Sequence, residues 1–97
     1  MANYLVVFES TVAYQVNAVE AALAQLGTPY LRILQTTWLV NSFLNIGRIF
    51  HIVSAVALPS DRFMVIEATD AMSDNLAVSA DQFDGCWDSS HSTRYAR

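Results

Sequence analysis

Glu9, Ser10 and Asp61 are the residues of this chain whose types could do chemistry together. Glu9 ends an apolar run that reads as a strand, and Asp61 opens another. If those strands lie antiparallel, the two carboxylates come to one rim of a sheet. Carboxylate oxygens are hard ligands for Mg²⁺ or Mn²⁺, and a bound ion would activate water for hydrolysis. Two copies of Glu9 meeting across a dimer axis would offer the same oxygens. Ser10 could then position a phosphate. A plainer reading pairs Glu9 with Arg62 on the rim, worth ~0–1 kcal/mol if exposed, and uses Ser10 to cap the following helix. A single carboxylate rarely holds Mg²⁺ without substrate phosphates. The leading expectation is therefore no catalytic residue and no cofactor, with Mg²⁺ or Mn²⁺ entering only under a nuclease reading.

Other groupings are weaker. Arg48 and His51 share a helix side and could contact phosphate, with His51 as a general acid, but a solvated helix face explains them as well. Asp84, Cys86, Asp88 and His91 lie close in sequence but lack the paired Cys-x-x-Cys spacing of a zinc site. Trp38 and Tyr30 could stack on bases. Without basic residues between them, core or interface packing is the simpler role. There is no glycine-rich phosphate loop and no nucleophile–base arrangement.

The elements that must position these residues follow from periodicity. Tyr4–Phe8 is a short apolar run rich in β-branched and aromatic residues, which favours a strand. Val12, Val16, Val19, Leu23 and Leu26 recur at steps of four and three and mark one helix stripe, stopped by Gly27. Tyr30–Leu34 and Trp38–Val40 form two strands joined closely enough to be a hairpin. A second helix begins near Ser42, with Ile46, Ile49, Phe50, Val53, Val56 and Ala57 on one face, and ends at Pro59. Phe63–Ile66 is the fourth strand. This order predicts an α+β, ferredoxin-like split βαβ fold (βαββαβ) over 1–68. Its antiparallel four-stranded sheet carries two helices on one face, with the first and third strands central. Residues 69–97 are an acidic extension, expected to hold a fifth strand or a short helix before a mobile terminus, His91–Arg97.

The chain has 97 residues, enough for one small domain, and 54% are hydrophobic against 14% charged. Disorder is excluded by that balance. The net charge is −4, with five arginines and no lysine. Duplex nucleic acid is disfavoured, because phosphate contacts need a basic face. One cysteine fits a reducing compartment. The start MANYLVVFES lacks a basic n-region, and the apolar stretch Phe43–Leu58 is interrupted and short for a span. The expectation is a cytoplasmic protein with no membrane partner.

Three segments, YLVVFES, LRILQTTWLVNS and SDRFMVIEA, together with VNAVEAALAQLG, carry a family resemblance. They resemble the small SinR-like proteins, a ferredoxin-like family related to the CRISPR-associated adaptation scaffold. Phe8-Glu9, Thr37-Trp38 with Leu39-Val40, Asp61-Arg62 and Glu67 match its pattern over residues 3–68. The resemblance implies a dimer built by facing sheets. Scaffold relatives described as metal-dependent nucleases carry an aspartate where this chain has Glu9, and the longer side chain would place a metal oxygen differently.

The functional expectation is a non-enzymatic homodimeric interaction module, a regulator or inhibitor of a macromolecular partner, most plausibly a protein. The alternative is a metal-dependent nuclease of RNA or DNA using Glu9 at the metal position. One sheet face is expected to be uncovered: either Leu5 and Val7 or Tyr4, Val6 and Phe8 point to it. Leu5, Val7, Trp38, Phe63 and Val65 are the interface candidates.

Overall fold

Alternation in the first strand decides the architecture, because both of its faces are apolar. The computed structural model describes residues 1–88 and the backbone of Thr93–Ala96. The elements run β1 (Ala2–Glu9), α1 (Gln15–Ala24), β2 (Tyr30–Leu34), β3 (Thr37–Ser42), α2 (Ile46–Val56), β4 (Arg62–Ala68), β5 (Asp70–Ser73), α3 (Ala80–Cys86) and β6 (Thr93–Ala96). The main sheet has the order β2-β3-β1-β4 with every neighbour antiparallel. This is the expected split βαβ arrangement, with β1 and β3 in the centre.

Tyr4, Val6 and Phe8 face the helices. With Trp38 and Val40 of β3, Val19 and Leu23 of α1, and Ile49 and Val53 of α2, they form the main core. Gly27 ends the first helical segment at φ +73°, a conformation that favours glycine. Asn45 caps α2 by accepting a hydrogen bond from the Arg48 backbone N–H at 2.9 Å. Ser10 does not cap α1. That helix starts at Gln15 with no side-chain cap. The Ser10 hydroxyl instead accepts from the Val12 N–H at 3.1 Å, closing the turn that precedes the helix.

The second face of the sheet is not left open as a whole. Ile33, Leu39, Phe83, Cys86 and Trp87 form a second core, with Leu5, Leu31 and Ala68 against it. Phe83 stacks on Trp87 at 5.8 Å between ring centroids. The extension after residue 68 thus folds back and lays α3 over the half of the face nearest β2. Ser79 and Gln82 start α3 with a reciprocal capping box. The extension contains both a strand and a helix, and β5 pairs with β6 in parallel. The mobile terminus expected over His91–Arg97 falls largely outside the described residues.

A polar clamp fixes α3 in place. Asn3 and Asn41 are buried side by side on this face. Asn41 Nδ2 donates to Asn3 Oδ1 at 2.9 Å. The same oxygen accepts from the Asp88 N–H at 2.9 Å, while Asn3 Nδ2 donates to the Asp88 carbonyl at 2.7 Å. The Met1 ammonium group donates to Asp88 Oδ2 at 3.0 Å.

Two phenylalanines test this arrangement. Phe83→Ala is expected to cost about 3–5 kcal/mol in urea unfolding, because it opens a cavity between α3 and the sheet. Phe43→Ala, at a position 82% exposed, is expected to stay within about 0.5 kcal/mol of the parent. Equal effects of the two would show that α3 does not cover the sheet.

Candidate functional site

The rim holding Glu9, Ser10 and Asp61 is built by the end of β1 and the loop entering β4. Glu9 lies opposite Arg62 in the ladder. Their charged ends are 4.0 Å apart, and both side chains are exposed. Asp61 is engaged elsewhere. Ser10 Oγ donates to its Oδ1, while Gln15 Nε2 and the Leu58 N–H donate to Oδ2 at 2.9 and 2.8 Å. Desolvation alone would raise the Asp61 carboxyl. The hydrogen bonds from Ser10, Leu58 and Gln15 outweigh it and hold this group below the ordinary carboxylate range. Gln15 also donates to the Val56 carbonyl at 2.9 Å, so one buried amide ties α1, the end of α2 and Asp61 together. These contacts make Asp61 the organiser of the α2–β4 connection. Among the described residues, no three His, Cys, Asp or Glu side chains gather closely enough to share an ion.

The other sequence candidates disperse. Arg48 and His51 are exposed on α2. Cys86 is buried against the sheet, with Sγ 3.8 Å from the Leu39 carbonyl, and burial pushes its thiol up to about 11. Asp88 serves the polar clamp, and His91 lies outside the described residues. Trp38 is fully buried and donates through Nε1 to Glu20 Oε1 at 3.1 Å, the same carboxylate that Arg32 approaches at 3.9 Å.

Of the five interface candidates, Trp38 lies in the main core, and Phe63 and Val65 pack on the helix side of the sheet. Leu5 lies beside the second core. Val7 is on the uncovered half of the second face. Across the ladder from it stands Met64, and Ile66 follows on the same side. Met64 is 53% exposed and Ile66 39%. The apolar surface continues around β4 to its helix side, where the ring of Phe50, 48% exposed, lies tilted against Phe63 with centroids 4.8 Å apart. A shallow groove of about 300 Å³ lies between Val7, Phe63, Met64 and the Glu9–Arg62 pair. Sequence reasoning missed Met64, Ile66 and Phe50 as surface residues, and missed Gln15, Asn3 and Asn41 as buried ones. The strand signal gave alternation but not which parity α3 would cover. The signal for the buried amides was their placement within or beside otherwise apolar runs.

Comparison with protein-family models, curated proteins and solved structures finds no match to this chain. No helix among the described residues is long and apolar enough to cross a membrane.

Asp61 gives a pH-dependent expectation. A carboxyl held lower in the folded chain than in the unfolded one contributes stability above its unfolded pKa, and this is lost as pH falls through the folded value. Asp61→Asn is therefore expected to melt at a lower temperature than the parent at pH 7. The gap should narrow as the pH drops below about 4, the ordinary aspartate range. Parallel melting curves down to pH 2 would contradict this role for Asp61.

Proposed function

We propose that this chain is a non-enzymatic interaction module that forms a homodimer along the β4 margin of its sheet. The observation that carries this reading is the contiguous apolar strip of half-buried Val7 with exposed Met64 and Ile66, continued by exposed Phe50 over Phe63. Small monomers rarely leave such side chains adjacent in water unless the patch is used. The resemblance to SinR-like proteins implies a dimer of facing sheets, which would use the open half of the second face beside β4. The position of α3 narrows it: only the half of the second face next to β4 is open to a partner. A net charge of −4 suits a regulator of a basic macromolecule, with carboxylates presented where phosphates would otherwise bind.

Sedimentation equilibrium at micromolar concentration is expected to give about twice the 10.7 kDa chain mass. Met64→Asp should return it to the monomer, because association would bury an unpaired carboxylate. A monomer at every concentration would overturn the proposal.

The non-enzymatic part has its own test. Glu9→Gln is expected to change unfolding free energy by no more than about 1 kcal/mol, as for an exposed ion pair. RNA and DNA incubated with Mg²⁺ or Mn²⁺ should remain intact with either form. Metal-dependent cleavage that disappears in Glu9→Gln would make the protein a nuclease.

A further inference from the structure

Three features weaken the hold of α3 on the sheet. Glycine is the poorest helix former after proline, and Gly85 sits inside α3. A Cβ built there would meet nothing within 4 Å, so no close approach calls for glycine. The indole N–H of Trp87 is buried with no hydrogen-bond partner among the described residues, where such groups usually find one. That cost is recovered once water reaches the group. A cleft of about 320 Å³ remains beside α3, lined by Leu5, Ile33, Leu76, Phe83 and Trp87 among others, and atoms facing it lack packing partners. The main core meanwhile needs nothing from this segment. Its buried residues run from Tyr4 to Val53, and Phe63 and Val65 are the last residues packed against it.

We infer that α3 is a releasable cover, which lifts from the sheet together with its lead-in from Ala77 while β1–β4, α1 and α2 stay folded. Closure is held by Phe83, Cys86 and Trp87 on the second face, by the Asn3–Asp88 clamp, and by the Ala77 N–H on the Ile33 carbonyl at 3.2 Å. On release, water meets Asn3, Asn41 and the Trp87 indole, so no polar group is stranded. Seven residues are too few to hold a helix alone, so α3 melts as it lifts. The open form bares Leu5, Ile33 and Leu39 without losing the main core. Units of this kind open at free energies below that of global unfolding. The inference concerns one chain and stands whether or not the chain dimerises.

Cys86 reports the opening. It is 7% exposed, with Sγ against the Leu39 carbonyl, so a bulky aromatic disulfide reagent reaches it only after α3 lifts. In dilute urea, labelling of the full chain is expected about tenfold or more faster than the global unfolding equilibrium allows. Its urea dependence should also be smaller, because a lifted segment exposes less surface than an unfolded chain. Ile49→Val, in the main core, lowers the global midpoint and should leave labelling unchanged. Gly85→Ala should slow it about fivefold. Labelling that follows global unfolding in rate and urea dependence, or that rises in Ile49→Val as far as global unfolding does, would overturn the inference. So would a rate that Gly85→Ala does not change. Hydrogen exchange on the wild-type chain tests the same opening without a reagent. The Ala77 and Asp88 amides, bonded to the sheet from either side of α3, should share one opening free energy below that of the β1 amides. A single free energy for all of them would refute a separate cover.

Discussion

The structure depends on a central strand that is apolar on both sides. Tyr4, Val6 and Phe8 need one cover, and Leu5 and Val7 need another. At roughly 25 cal/mol per Å² of apolar surface removed from water, neither side is cheaply left exposed in a domain this small. Helices α1 and α2 shield the first set completely. α3 is too short to shield the second, so its cover stops near Leu5 and leaves the β4 margin open. The candidate surface is therefore what remains when a single short helix has been laid on a sheet that could bury more.

Hydrophobic contact places α3, but hydrogen bonds fix its position. The Asn3–Asn41 pair lies where the chain leaves α3, at Asp88. Each amide would be a liability if buried alone, since an unmet polar group costs about 1–3 kcal/mol. Joined to the Asp88 backbone, they reward one placement of the segment and penalise others. Gln15 does the same at the opposite end of the molecule, where it locks the α2–β4 connection through Asp61. The chemistry that looked catalytic in the sequence, a serine beside a carboxylate, is spent on holding that connection.

The four strands and two helices of residues 1–68 could be read from periodicity because each buries a face whose spacing betrays it. Val19 and Leu23 on α1, and Ile49 and Val53 on α2, fall where the apolar stripes put them. α3 was less readable. Over seven residues it shows barely two turns, and Phe83, Cys86 and Trp87 make too short a stripe to mark a helix. Its contribution is tertiary, and so was the choice of which β1 residues it would cover. The site was legible only in outline. The Glu9–Arg62 pairing follows from strand order, and it is present as an exposed pair. That Asp61 would turn toward Gln15 and Leu58 required the backbone path after Pro59, which residue spacing does not encode. Phe63–Ile66 reads as one apolar strand, and the sequence could not apportion its burial between the two faces.

The clamp between Asn3 and Asp88 joins residues 85 positions apart, and this sets an order of events in folding. The surface on which α3 rests is made by side chains from β1, β2 and β3 together, so it does not exist until those strands have assembled. Its own seven residues are too few to hold a helix in isolation. Docking of α3 therefore follows sheet formation, both on refolding and as the chain leaves the ribosome. During that interval the second face, with Leu5, Ile33 and Leu39, stands bare. The period in which the molecule is most prone to stick to others is thus fixed by how quickly its last helix arrives.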